Sequence, residues 1–374
     1  MLCKRVKRCV MATVIFAIII FTIGCSGKGS TGDTNTHTAV PPKPQLQVES
    51  PTVCSIGSKV VWDSCENAME YDVYVDGQFI ATTLDCYYTV DNISDNVTVK
   101  VKAKNGEYFS DFSNETIVFN NEDINESQIL QPPVIDDWQG KVITVESNIR
   151  KIVIKSDTRA ELKTIFSVEE RTQDLIFELK NITLKLNNSN QYFIIRTKDG
   201  LISRNKHDWS LIINVEGDCY INAEKTFPPL PVPDKNSGES GYQGDDGGVA
   251  VRITSLAICG DGNLTFVGGN GEDGGRGADA NLLSTNSYGH GGNGGRGGNA
   301  LECKHLLVDM QPTGTFTLID GKGGNGGSHG SDAKAITPNI AHFTHTEEQC
   351  NGKVGRDGAS VIVSLYTLGG TFVY

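Results

Sequence analysis

The side chains able to do chemistry are mostly carboxylates, and several stand in pairs. Asp245 adjoins Asp246, Glu272 adjoins Asp273, and Asp279 follows. Paired carboxylates serve glycoside hydrolysis or hold calcium. With 45 acidic residues against 33 basic ones, they also form solvated faces. A lyase would need a basic residue beside such acids, and Asp273 with Arg276 and Arg356 with Asp357 are the candidates. His342 and His345 stand three apart between glycine-rich segments, as metal ligands or as solvated loop residues. No nucleophile elbow, HExxH run, phosphate loop or Cys/His dyad spacing occurs.

Most of these residues lie in one stretch, Gly238 to Gly358, which holds 30 of the 42 glycines. There glycine recurs every third residue in five blocks, beginning at Gly238, Gly268, Gly289, Gly321 and Gly352. An extended three-fold helix turns once per three residues, so every third residue faces one way. A face packed against a neighbouring chain admits only a residue without a side chain. The blocks lack proline, which argues against collagen. Apolar runs such as 249–253 and 300–303 separate them, which argues against a flexible linker. The calcium-binding nonapeptide matches at Gly268–Gly274 and fails at Gly275, where a large apolar residue is needed. Gly294 and Gly295 each belong to an in-phase set, so the third block is expected inside a bundle of such chains. Asn293, Arg296 and Asn299 would form its exposed column.

The blocks sit in a longer repeat. Gly247–Ala250, Leu256–Ile258 and Leu264–Phe266 form one unit, and Gly297–Ala300, Leu306–Val308 and Phe316–Leu318 the next. Repeated strand–turn–strand units of this size predict stacked coils. The run Leu256 to Gly271 resembles the rungs of bacterial surface proteins with a right-handed parallel β-helix, some of which bind carbohydrate. Upstream strand-like runs at 142–145, 151–154, 175–179, 182–186, 192–195 and 211–213 extend the pattern. Ile152, Leu175, Phe193 and Leu211 suggest coils of about twenty residues. The β-helix is assigned to residues 135–374.

Residues 45–120 read as a separate sandwich. Tyr71–Val75 alternates into the hairpin turn Asp76-Gly77, and Val97–Ala103 alternates into Asn105-Gly106. Trp62, the stretch 68–74, and 100–103 before 110–113 resemble a fibronectin type III domain, which implies a spacer or binding module. Residues 121–134 form a linker ending near Pro132-Pro133. The fold class is all-β throughout: a sandwich plus a parallel β-helix with glycine-triplet excursions.

At the N-terminus, Lys4, Arg5, Lys7 and Arg8 precede an apolar run from Met11 to Ile23. Residues 1–24 read as a signal peptide. Thr22-Ile23-Gly24-Cys25 resembles a bacterial lipobox, which makes Cys25 the lipidated residue. Residues 25–44 follow as a Ser/Thr/Gly/Pro-rich tether. The net charge of −12 argues against nucleic acid, whose phosphates need clustered Lys and Arg. Seven cysteines remain besides Cys3, Cys9 and Cys25, an odd number whose pairing stays open.

These features lead to the expectation of an extracytoplasmic, lipid-anchored protein that is not an enzyme and has no metal or cofactor. Its expected partner is a glycan or other surface polymer, contacted by Tyr242, Asp245, Asp246 and Tyr288. The alternatives are a polysaccharide lyase or hydrolase on the coil scaffold, and a purely structural spacer. The anchor has a direct test. An alkyne fatty acid should label the wild type and not Cys25→Ser, and an unlabelled wild type would refute the lipobox reading.

Overall fold

The computed structural model describes residues 47–186, 191–197, 209–225, 227, 230, 239–278, 290–328 and 351–374. The leader, Cys25, the tether, Tyr288, His342 and His345 lie outside the described residues.

The first module packs two antiparallel sheets. One joins β1 (Val53–Ile56), β2 (Lys59–Trp62) and β5 (Tyr87–Thr89). The other orders β4 (Gln78–Thr83), β3 (Glu70–Val75), β6 (Val97–Asn105) and β7 (Tyr108–Phe109), with β8 (Thr116–Val118) also on β6. Period-two alternation puts Tyr71 and Val73, and Val99, Val101 and Ala103, in the core with Trp62. Trp62 meets Tyr71 edge-on at 5.3 Å.

The second module is one fifteen-stranded parallel sheet wound into coils. Its strands fall on three faces. The first face carries β10 (Val142–Val145), β12 (Ile165–Val168), β14 (Phe193–Thr197) and β17 (Val249–Arg252). The second carries β9 (Ile129–Leu130), the first half of β11 (Lys151–Lys163) and of β13 (Leu175–Lys185), then β15 (Leu211–Glu216) and β18 (Ser255–Gly260). The third carries the second halves of β11 and β13, then β16 (Asp218–Asn222), β19 (Asn263–Val267), β21 (Thr315–Ile319) and β23 (Thr371–Val373). β20 (Leu301–Met310) and β22 (Val361–Gly369) each span the first two faces.

Inward residues stack in columns from coil to coil. Leu175, Leu211, Leu256 and Leu306 are in direct register, and all four are fully buried. Leu184, Ile221, Phe266 and Leu318 form a column on the third face. β-Branched and aromatic residues suit such half-buried pleated surfaces. The expected twenty-residue coil is therefore corrected. Phe193 lies on a different face from Leu175 and Leu211, and the stacked leucines grow further apart in sequence as excursions lengthen. The corner between the second and third faces needs left-handed backbone. Asn181 (φ 52°) and Gly217 (φ 68°) supply it on consecutive coils. A Cβ on Gly217 would fall 2.2 Å from the Asn181 side-chain oxygen.

The glycine blocks leave the coils and form a bundle of extended chains. Blocks one, three and five run parallel: Gly244 donates to Asn293 O at 2.9 Å, and Gly294 to Lys353 O at 2.9 Å. Blocks two and four run antiparallel to them: Gly295 donates to Glu272 O, and Gly324 to Gly295 O, both at 2.8 Å. Block three thus bonds to all four others and is the centre of the bundle, as the two in-phase sets implied. A Cβ on Gly294 would lie 2.0 Å from Gly324 O, and one on Gly295 would lie 1.9 Å from Asp245 O.

The non-glycine positions carry a device that the period of three did not reveal. Asp246 accepts the N–H of Arg296 at 2.7 Å, Asn270 that of Lys322 at 2.8 Å, and Asn293 that of Lys353 at 2.9 Å. Asn299 likewise accepts from Ala359 N at 2.8 Å. Each Asp or Asn oxygen satisfies a backbone donor that the glycine pairing leaves over. Asn293 and Asn299 are therefore tied to block five, and only Arg296 of the expected column is free of this duty.

This ordering generates a graded prediction. Gly294→Ala puts an atom into backbone that cannot move aside and should cost at least the 1–3 kcal/mol typical of overpacking. Asn293→Ala gives up one hydrogen bond of about 1 kcal/mol. Arg296→Ala should be near neutral. Equal melting temperatures for all three variants would mean that the blocks do not pack.

Candidate functional site

With the inward columns filled by apolar side chains, chemistry is left to the outward residues. The second face is largely covered. Its outward column Ile212, Ala257, Leu307 and Tyr366 packs against Cys54, Ile56, Val61 and Tyr87 of the sandwich. Lys59 pairs with Asp309 at 3.2 Å across this joint, and Ser210 Oγ donates to Ser55 O at 3.2 Å.

A cavity of about 470 Å³ opens at the joint, lined by the Ile56–Lys59 turn, residues 90–93 and 119–122, and the coil face. It is larger than the groove described below, and several polar groups in and around it are tied into the joint. Lys59 is held by Asp309. Asn121 donates to buried Asp174 at 3.0 Å and accepts from Arg150 at 2.9 Å. Ser210 N donates to the other Asp174 oxygen at 2.7 Å. These bonds make it a joint between modules rather than a site. Burial pushes the Asp174 carboxyl up to about 6, against the pull of Asn121, Ser210 N–H and the Arg150 guanidinium.

The third face is open and carries a groove of about 340 Å³ lined by Arg159, Ala160, Glu161, Thr183, Lys185, Tyr220 and Asn222. Three coils contribute. Register sets Glu161 beside Thr183 and Thr183 beside Tyr220, with Lys185 beside Asn222. Arg159 arrives differently. The pairing of β11 with β13 slips between Lys155 and Ala160, and such bulges re-aim side chains. The Arg159 guanidinium lies over the Tyr220 ring, 4.5 Å from its centre, and Nε reaches Thr183 Oγ1 at 3.4 Å. Lys185 pairs with Glu161 at 2.7 Å. The groove therefore holds two cations, one carboxylate and one phenol on a rigid sheet.

The residues expected from sequence lie elsewhere. Tyr242, Asp245 and Asp246 are exposed on the first glycine block. The Asp246 carboxylate holds Arg296 N–H, while Asp246 O accepts from Lys225 Nζ at 2.9 Å. Lys225 in turn lies 3.4 Å from the Tyr192 ring centre, an anchorage of bundle to coil that the sequence did not suggest. The acid–base pairs considered for a lyase are also structural. Asp273 accepts Asn325 N–H at 2.6 Å and Asp357 accepts Gly323 N–H at 2.9 Å. Among the described residues, no three His, Cys, Asp or Glu side chains gather to hold a metal ion. The groove was missed because its members share no contiguous motif. The signal that existed was polar alternation, Arg159-x-Glu161-x-Lys163 and Tyr220-x-Asn222, on strands with apolar partners between.

No family model matches the chain, and no curated protein matches it in sequence. Among solved structures, a chain described as FN3tt mut is 25% identical, covering 20% of this chain and 96% of its own, with a TM-score of 0.16. A family 28 exopolygalacturonase of Yersinia enterocolitica is 10% identical over 88% of this chain and 86% of its own, TM-score 0.26. The pectate lyase Pel3 of Pectobacterium carotovorum is 11% identical over 73% and 80%, TM-score 0.19. The parallel coil architecture itself stands on the strand registers. The expectation that the chain is not an enzyme is corrected here, because the similar chains that span most of its length are a polygalacturonase and a pectate lyase.

The joint yields a pH prediction. A carboxyl whose folded pKa is raised keeps its proton in the folded state where the unfolded chain has lost it. Buried Asp174 therefore costs stability above pH of about 6, by about 3 kcal/mol for a shift of some two units. The cost is relieved as pH falls from about 6 toward the ordinary 3.8. Relative to Asp174→Asn, the wild type should gain stability across that window in denaturant titrations. A difference that stays constant from pH 7 to 4, by contrast, would mean that Asp174 is unshifted.

Proposed function

We propose that the chain cleaves an acidic polysaccharide by elimination in the third-face groove. The observation that carries this reading is that Arg159, Lys185 and Tyr220 line one open recess on a rigid sheet with a single carboxylate, Glu161, which pairs with Lys185. Hydrolysis of a glycosidic bond uses two carboxyl groups about 5–10 Å apart. This groove has one, and it is ion-paired. Elimination from a uronate sugar asks for the opposite balance. Cations neutralise the sugar carboxylate and so acidify the adjacent C–H. A positioned oxygen moves that proton as the neighbouring C–O bond breaks. The electron pair of the C–H bond becomes a carbon–carbon double bond, and the proton ends on the departing glycosidic oxygen. No water or cofactor is consumed.

In this reading Arg159 and Lys185 hold the carboxylate, and Tyr220 handles the proton. The open, lengthwise face suits a polymer better than a small molecule. The sandwich would serve as a fibronectin type III-like spacer, and a lipid on Cys25 would keep the enzyme outside the cell.

The test is turnover of polygalacturonate and other uronate polymers, followed both by new reducing ends and by the ultraviolet absorbance of the new double bond. Tyr220→Phe and Arg159→Ala should each lower the rate by about 10²-fold or more, the usual loss for acid–base groups. New reducing ends without the absorbance would replace elimination by hydrolysis. Full activity in both variants would remove the groove from the chemistry.

A further inference from the structure

The glycine bundle has a surface whose charge the groove does not explain. Blocks one, three and five lie side by side in one layer. Gly247 donates to Arg296 O at 2.7 Å and Gly297 to Arg356 O at 2.8 Å, so residues 246, 296 and 356 form one row across the layer. Gly244 donates to Asn293 O and Gly294 to Lys353 O, both at 2.9 Å, which sets 293 beside 353 in the next row. The side-chain bonds follow the same step, from Asp246 to block three and from Asn293 to block five. One non-glycine position per triplet in each of the three blocks therefore lies on one face as a regular lattice, while Asp357 turns to block four. Along each chain its spacing is three residues of extended helix, about 9 Å.

The polar groups on this lattice divide into two kinds. Asp246, Asn293 and Asn299 each turn an oxygen back onto a backbone N–H. Arg296, Lys353 and Arg356 are exposed, and among the described residues they form no ion pair. On the coil faces four lysines, Lys151, Lys155, Lys180 and Lys185, each pair with a glutamate. Three cations in adjacent rows outnumber the one carboxylate there, Asp246, and leave this face net positive on a chain of net charge −12. The bundle also fixes their backbone positions, so little ordering is needed on binding.

We infer that this face is a docking surface for an anionic polysaccharide, a polymer whose carboxylate or sulfate groups recur at sugar spacing. The occupant follows from charge density. A duplex nucleic acid carries a charge per about 1.7 Å and is countered by clustered cations, and an acidic protein with three spaced cations would repel it. A polysaccharide whose charges recur more widely is closer to a lattice step of about 9 Å. The surface is separate from the groove and does not depend on cleavage there. It would hold a polymer beside the coils whichever reaction the groove performs.

The experiment measures retention of the full chain on immobilised polygalacturonate, dextran sulfate and neutral dextran, with duplex DNA and anionic phospholipid vesicles as further surfaces. The wild type should be retained on at least one anionic polysaccharide and not on neutral dextran, and rising salt should weaken retention. The triple variant Arg296→Gln, Lys353→Gln, Arg356→Gln should lose about tenfold or more in affinity. None of the three side chains enters the glycine packing, and a melting curve checks that the variant folds. The single variants Lys353→Gln and Arg356→Gln should give graded losses. The triple variant should lose the same factor whether Arg159 is present or replaced by Gln, which separates this surface from the groove. Unchanged retention in the triple variant, equal retention on neutral dextran, tighter binding to DNA or vesicles, or a loss in the triple variant that vanishes in the Arg159→Gln background would each overturn the assignment.

Discussion

Lateral backbone pairing between successive passes of the chain is the constraint on which this molecule depends. In the coils, each strand donates and accepts from the strand one coil before and one coil after, in parallel register. In the bundle, the same lateral bonding joins extended three-fold chains, with two glycine columns of block three turned to different neighbours. Both parts build outward from the chain direction, so one pass rests on the last. An unpaired backbone group inside either stack would be costly. This is why Asp and Asn recur at the positions between glycines: their oxygens collect the donors that the three-fold pairing leaves over.

Stacking also decides where chemistry can sit. The interior is filled by Leu, Ile, Val and Phe columns, with Phe266 meeting Phe316 at 5.0 Å and Phe166 meeting Phe177 at 5.1 Å. Only outward residues remain for function. The sandwich covers an apolar column on the second face, and Lys59–Asp309 closes the edge of that contact. The third face is left to solvent, with a cation brought over it by the bulge in β11. The bundle adds a second surface, rigid through its backbone bonds and distinct in charge. Substrate cleavage and polymer retention would thus occupy different parts of one scaffold, joined by the anchorage of Lys225 between Tyr192 and Asp246.

The expectation of a protein without catalysis rested on the lack of a contiguous catalytic motif. Such motifs occur where a single turn or helix carries the reacting groups. A coiled sheet assembles its groove from side chains on consecutive coils, such as Glu161, Thr183 and Tyr220, which stand far apart in sequence. Conversely, the contiguous acids that drew attention, Asp246, Asp273 and Asp357, are backbone acceptors within the bundle.

Much of the local periodicity was legible in the sequence. Alternation marked the sandwich strands at 71–75 and 97–103 and most coil strands, while Val53–Ile56, Tyr87–Thr89 and Thr116–Val118 went unmarked, and the period of three marked the glycine blocks. The two in-phase glycine sets at Gly294 and Gly295 even placed block three at the centre, because a missing side chain on two faces requires two close neighbours. Which residues become lateral neighbours was decided only in three dimensions. The coil length is not constant, since excursions of different size intervene, so no fixed repeat predicts that Leu211 lies on Leu175 or Tyr220 beside Thr183. That choice is made when inward columns of the right volume close over one another, and this depends on the summed fit of several coils. A residue's direction is thus set by its immediate neighbours in the chain, while its partner is set by the closure of the whole stack.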